Sequence, residues 1–307
     1  MLLLAGTWWW WSGRQDIHFA WRVATALLIL LPHAPVLAAE FLLLAAFGDH
    51  RPAPRPTPGA LLRAWLGEVL WGIQTFGWRQ PFRADAEPDH LPQQTSAAAP
   101  RRGLLLVHGF VCNRGLWNPW MRRLRAADVP FIAVTLEPAF GSIDDYAESI
   151  DAAVRRLQST TGAPPLIVAH SMGGLAVRRW LQRSEAHRCC AGVVTIGSPH
   201  HGTWLARFAF SHNGRQMRRG SRWLAALADG PAAAAVPFTC YYGHCDNIVF
   251  PAATATLPGA DNRHLPGLAH VHLLSSPTVF TEVMNRVRPA RPGESAAVAP
   301  PRGPSPT

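Results

Sequence analysis

Pro165-Leu-Ile-Val-Ala-His-Ser-Met-Gly-Gly174, followed by residues 175–182, decides the fold. Leu166, Ile167 and Val168 make a short unbroken apolar run, the pattern of a strand buried on both faces of a parallel sheet. After Gly173 apolar residues return at Leu175, Val177, Trp180 and Leu181, which is helical spacing. Strand, sharp turn and helix in succession lift a serine at the turn above the sheet as a nucleophile. So tight a turn needs small residues two before and two after the serine. Gly173 meets this on one side and Ala169 on the other, where glycine is usual. Ser171 also opens a helix whose first N–H groups have no intrahelical acceptor, and that is a favourable place for a developing oxyanion.

Outward from this stretch the pattern alternates. Residues 103–107, 131–135, 192–196 and 238–242 read as strands, and 117–127, 143–158 and 278–287 as helices. Alternation of this kind predicts an α/β fold with a mostly parallel sheet and helices on both faces. Hydrophobic content of 48% is ample for a core in a 307-residue chain. The net charge of +10 raises nucleic acid as a partner, but all 29 basic residues are arginines scattered in ones and twos. No nucleic-acid module or dense basic stripe is present, so no nucleic-acid partner is expected. Cys112, Cys189, Cys190, Cys240 and Cys245 lack paired metal-type spacing. Buried free thiols are the expectation, with a Cys240–Cys245 loop as the alternative in an oxidising compartment.

The amino terminus reads differently. Residues 8–11 are four tryptophans, and the 25 residues 23–47 are almost entirely apolar, broken by Pro32, His33, Pro35 and Glu40. At about 1.5 Å per residue this length spans a hydrocarbon core. A kinked transmembrane helix, a re-entrant hairpin and a secretory signal all fit; an uncleaved anchor within residues 1–60 is the expectation, with tryptophans at the membrane interface. The expected location is therefore membrane-associated, of bacterial inner-membrane type, with the side of the catalytic domain open. Residues 50–59 are a proline-rich spacer. Leu62, Trp65, Leu66, Val69, Leu70, Ile73 and Phe76 mark an amphipathic helix that either lies along a bilayer or packs on the main domain. With residues 84–100 as a linker, 61–100 joins the anchor to a domain over 101–288, and 289–307 is a Pro-, Ala- and Ser-rich tail expected to be disordered.

Acyl transfer needs a nucleophile, a base, a group that orients the base, and donors for the oxyanion. The acid should follow Ser171 just past a late strand, and Asp246 does, after residues 238–242. Asp261 is the rival, in a stretch that reads as an exposed turn. The base should come later still: His270, preceded by small residues, is preferred to His272 and His264. Met172, next after the nucleophile, supplies one oxyanion N–H. Phe110 supplies the other from the loop after the first strand, where Gly109 lets the backbone approach closely. His108 and His170 are read as structural histidines.

His108-Gly109-Phe110, Ala169-His170-Ser171-Met172-Gly173-Gly174 and Val194-Thr-Ile-Gly-Ser-Pro-His-His-Gly-Thr203 resemble serine lipases and esterases of the α/β-hydrolase fold. The resemblance spans about residues 103–287. It implies hydrolysis of carboxylic esters or lipids through an acyl-serine, with neither a metal nor an organic cofactor. It also implies a cap or lid over residues 202–237, where Trp204, Phe208, Phe210, Trp223, Leu224 and Leu227 lie among arginines. An acyltransferase uses the same chemistry with an alcohol in place of water. The rival from another class is a membrane-tethered scaffold with an inactive hydrolase domain, and against it stand Ser171, Asp246 and His270, all present.

Overall fold

A computed structural model describes residues 1–15, 17–49, 51–92, 100–183, 185–228 and 236–287. The expected tail over 289–307 lies outside these, as do parts of the expected linker and cap. Six strands form one parallel sheet: β1 Leu104–Val107, β2 Phe131–Ala133, β3 Leu166–His170, β4 Gly192–Ile196, β5 Phe238–Gly243 and β6 Asp261–Leu265, in the order β2-β1-β3-β4-β5-β6. Strand order reverses between β1 and β3, and ligands of open α/β sheets bind beside such a reversal, beyond the carboxyl ends of the strands.

The unbroken apolar strands are explained by the two layers they feed. Leu105, Val107, Ile167, Ala169 and Val193 face one core with α7 Tyr146–Thr161 and α8 Met172–Leu181. Leu104, Leu106, Leu166, Val168 and Val194 face the other, with α6 Asn118–Ala126 and α11 Pro277–Val287. Residues of opposite parity are thus buried on opposite faces. Trp117, just before α6, and Trp120, Met121 and Leu124 within it are buried at helical spacing, and Trp120 donates its indole N–H to the Leu274 carbonyl at 2.9 Å.

Before the sheet come α1 Leu2–Ser12, α2 Phe19–Leu30, α3 His33–Phe47 and α4 Pro58–Gln74, the last running on through a π-turn into the short α5 Gln80–Phe82. The apolar segment expected to cross a membrane is therefore not one helix. It breaks between Leu30 and His33, at Pro32, whose ring cannot continue the helix, and α2 and α3 are bent by 84°. Among the described residues no single helix is long and apolar enough to cross a membrane. Nor is α3 free of the main domain. Phe41 and Leu44 are buried with Cys245, Phe250 and Ala269, and Phe47 stacks on Trp204 at 4.5 Å.

Helix α4 packs on the main domain with only part of its apolar stripe. Ala64, Glu68 and Val69 are buried, Val69 being one of the stripe, whereas Leu62, Leu66, Leu70 and Ile73 of the stripe stay exposed, as does Phe76 in the π-turn that follows. Trp65 ties it to α3 by donating to the Ala34 carbonyl at 3.0 Å. The first part of the expected linker is also pinned down. His90 exchanges backbone hydrogen bonds of 3.0 and 2.8 Å with Phe131 on edge strand β2, and Asp89 accepts from Arg114 and from the Ala133 N–H. This covers the edge of the sheet.

The segment expected to be a lid holds α9 His212–Gln216 and α10 Arg222–Ala228. Leu224 and Leu227 belong to the core, and Trp223 donates to Asp144 at 3.1 Å. Phe208 and Phe210 are exposed, and Trp204 lies between Phe47, Phe208 and Phe250. All five cysteines are unpaired.

Candidate functional site

Three adjacent strand ends carry the surroundings of Ser171, the expected nucleophile. Val107 of β1 is level with Ala169 of β3, and His170 with Ile196 of β4, so His108-Gly109, Ser171 and Gly197 emerge side by side. Ser171 has φ 54° and ψ −131°, a region L-residues rarely occupy, and its N–H donates to the Ile196 carbonyl at 2.9 Å. Non-glycine residues held there by their surroundings cluster at functional sites, and this is the strained turn expected of a nucleophile elbow. Met172 is the first residue of α8, so its N–H has no intrahelical acceptor. Gly109 lies against the serine: a methyl group on it would stand 2.6 Å from Ser171 Cβ. Phe110 follows in the turn after β1, half-buried, with its ring edge-on to Phe140 at 5.8 Å.

Asp246 stands just past β5 and His270 past β6. His270 Nδ1 is 3.0 Å from both carboxylate oxygens of Asp246, and His270 Nε2 is 2.9 Å from Ser171 Oγ. A carboxylate only accepts, so Nδ1 carries the hydrogen and the Nε2 lone pair faces the serine hydroxyl. Oδ1 of Asp246 also accepts the N–H groups of Ile248 and Val249 at 2.9 and 2.8 Å, which fixes the carboxylate. All three side chains are buried, Ser171 the least so at 7% exposure. Burial pulls the His270 pKa down, but the charge and hydrogen bond of Asp246, with Glu68 and Glu40 behind it, outweigh that and hold it above the ordinary value.

The rival residues are elsewhere. Asp261 begins β6, exposed, and pairs with Arg263 at 2.7 Å. His264 is in the same strand, 2.6 Å from His244. His272 stacks on Trp71, and its backbone N–H, not its ring, is engaged by Glu68. The two histidines expected to be structural are buried. His108 Nδ1 donates to the Gly109 carbonyl at 2.8 Å while Nε2 accepts the Leu136 N–H at 2.9 Å; burial lowers its pKa to about 4 and keeps it neutral. His170 Nε2 donates to the His270 carbonyl at 3.2 Å, and burial, then the nearby His270, press its pKa well down.

Four residues at the site escape the sequence reading. Gly197 has φ 59°, and a methyl group on it would come within 3.0 Å of Asp246 and 3.3 Å of His270 Nδ1. Asn247 is fully buried beside Asp246. Glu40 and Glu68 reach the same loops from α3 and α4. For the glutamates the one signal in the sequence is an isolated carboxylate within an otherwise apolar helix, a combination that requires a buried partner.

The model of the alpha/beta hydrolase family matches residues 104–283. No curated protein matches the chain. Among solved structures, a Bacillus licheniformis lipase in its mature form superposes with a TM-score of 0.57 at 17% identity, over 64% of this chain and 96% of that one. Lipase B of Aspergillus fumigatus superposes with a TM-score of 0.51 at 22% identity, over 60% of this chain and 49% of that one. At such identities the likeness concerns the fold.

Proposed function

This chain belongs to the alpha/beta hydrolase family, and on that premise we propose that it is a serine carboxylic ester hydrolase of lipase or esterase type, acting on acyl esters at a membrane surface. The observation that carries the reading is the relay Asp246–His270–Ser171, with 3.0 Å at one joint and 2.9 Å at the other. Ser171 Oγ attacks the ester carbonyl and passes its proton to His270 Nε2. Asp246 keeps the imidazole in the required tautomer and stabilises the imidazolium. The N–H groups of Met172 and Phe110 receive the oxyanion. Collapse of the tetrahedral intermediate breaks the ester C–O bond, and the alcohol leaves with the proton from His270. Water, deprotonated by the same nitrogen, then attacks the acyl-serine and releases the acid.

The membrane part of the proposal rests on uncovered apolar side chains. Leu62, Leu66, Leu70 and Ile73 line the outward side of α4, and Leu3, Leu4, Trp10 and Trp11 are exposed on α1. Soluble proteins rarely leave such runs bare, and tryptophans beside arginines are suited to a lipid interface.

The decisive experiment is hydrolysis of p-nitrophenyl esters of graded chain length by the full chain and by Ser171→Ala, in detergent. Turnover by the wild type that collapses in the mutant supports the mechanism, and the preferred chain length separates esterase from lipase. Equal turnover by both proteins would sink it.

A further inference from the structure

The helices ahead of the sheet reach into the site. Glu68 is 3% exposed, on the buried face of α4, and it spends both oxygens on one loop. Oε1 accepts the Val271 N–H at 2.9 Å and Oε2 the His272 N–H at 3.0 Å, the two amides that directly follow His270. Glu40, on α3, accepts from Asn247 Nδ2 at 2.6 Å. A carboxylate takes only the donor end of an amide, so Asn247 Oδ1 is turned the other way, where it accepts the His270 N–H at 3.3 Å. The amides of residues 270, 271 and 272 are therefore all held by acceptors anchored, directly or through Asn247, in α3 and α4. Carboxylates are costly to bury in an apolar seam. Burial pushes the Glu68 pKa up and the Glu40 pKa to about 7, in spite of the hydrogen bonds each accepts.

We propose that α3 and α4 are a brace for the base: Glu68 holds the backbone of the His270 loop, and Glu40, through Asn247, holds the amide of His270 itself. The brace rests on the reading of Ser171, His270 and Asp246 as the reacting groups. Glu40 and Glu68 are positioning residues, since they act on His270 through backbone and amide groups. Their charges face the imidazole together with Asp246, while His170 lies on its other flank with ring centres 4.7 Å apart. A helical layer with a bare apolar outer face thus carries, on its inner face, the groups that hold the catalytic histidine.

The test uses the full chain in detergent, with Glu68→Gln, Glu68→Ala, Glu40→Leu and Glu40→Gln beside the wild type and Ser171→Ala. Thermal melting verifies folding. Glu68→Gln leaves one loop amide without an acceptor, and kcat should fall about ten- to a hundredfold with KM nearly unchanged, as expected when a reacting group is misplaced. Glu40→Gln keeps an acceptor for Asn247 and should recover part of the kcat lost in Glu40→Leu. A second readout needs no turnover: the His270 imidazole, titrated by NMR, should lose its proton at lower pH in every variant that removes a carboxylate, because negative charge that favours the imidazolium is gone. Folded Glu68→Gln and Glu40→Leu proteins with wild-type kcat and an unmoved His270 titration overturn the brace. Turnover that survives Ser171→Ala overturns the hydrolase reading instead, and the NMR titration then judges the brace alone.

Discussion

Gly109→Ala tests the geometry at its tightest point. The added carbon would stand 2.6 Å from Ser171 Cβ and 3.2 Å from both Ser171 Oγ and the His170 carbonyl. Carbon pairs settle at about 3.5–4.0 Å, so roughly 1 Å has to be found. The serine side does not yield readily, since Ser171 is held at φ 54° with its N–H on Ile196. The loop of Gly109 and Phe110 therefore moves, and with it the proposed second oxyanion donor. Loss of one such donor costs about 10²–10³ in kcat. Kinetics with a soluble p-nitrophenyl ester should thus show kcat down about a hundredfold at similar KM. Strain of about 1–3 kcal/mol should also lower the melting temperature by several degrees. The rate of labelling by a serine-directed phosphonate should fall in parallel, because the phosphoryl oxygen occupies the same hole. A folded Gly109→Ala enzyme with kcat within about threefold of wild type would refute both the close approach and the role of Phe110, given what one donor is worth.

Asp246→Asn should preserve the fold and lower kcat by about 10⁴, by allowing the wrong imidazole tautomer; a loss under tenfold argues for another acid. The base works only when neutral and its pKa is raised, chiefly by Asp246, so the acid limb of the kcat/KM profile should lie above the ordinary histidine value. A limb at or below that value contradicts the electrostatics. Deletion of residues 1–31 should leave hydrolysis of a soluble short-chain ester intact, whereas deletion of 1–57 should cost about 3–6 kcal/mol through loss of the buried Phe41 and Leu44, visible as a lowered melting temperature. Equal stability of the two truncations shows that α3 contributes nothing. Combined Leu62→Glu, Leu66→Glu and Leu70→Glu, all exposed, should abolish sedimentation with anionic vesicles without altering the melting temperature; retained binding places the lipid-facing surface elsewhere.

How much of this was legible depended on where each residue's partners lie along the chain. Strands β1, β3, β4 and β5 announce themselves because each is apolar on both faces. Strand β6, Asp-Asn-Arg-His-Leu, does not: it is an edge with a single neighbour, its first residues exposed, and nothing in its own residues marks a strand. The small residues of the elbow were readable because they answer to local geometry, and the chain order of Ser171, Asp246 and His270 picked out three side chains that the fold brings into contact. Glu40 looked like a flaw in a membrane segment, and its partner Asn247 lies 207 residues away. In α4, periodicity identified the helix, and its stripe is divided: Val69 is buried and Trp65 packs against α3, whereas Leu62, Leu66 and Leu70 stay bare. The rule that apolar residues face inward holds when water is the solvent outside, and the bare Leu62–Leu66–Leu70 side is consistent with a different medium there.

The contact between Glu68 and the loop after His270 also has a consequence in time. Glu68 and Val271 are 203 residues apart. Ribosomes add about 5–20 residues per second, so one half of this contact waits about 10–40 s for the other. Ser171 and the elbow appear about halfway through that interval, and for the rest of it His270 has neither been synthesised nor anchored. On the proposed reading the chain is therefore silent as it is made, and the chemistry proposed for it begins only when the last part of the domain docks against the first.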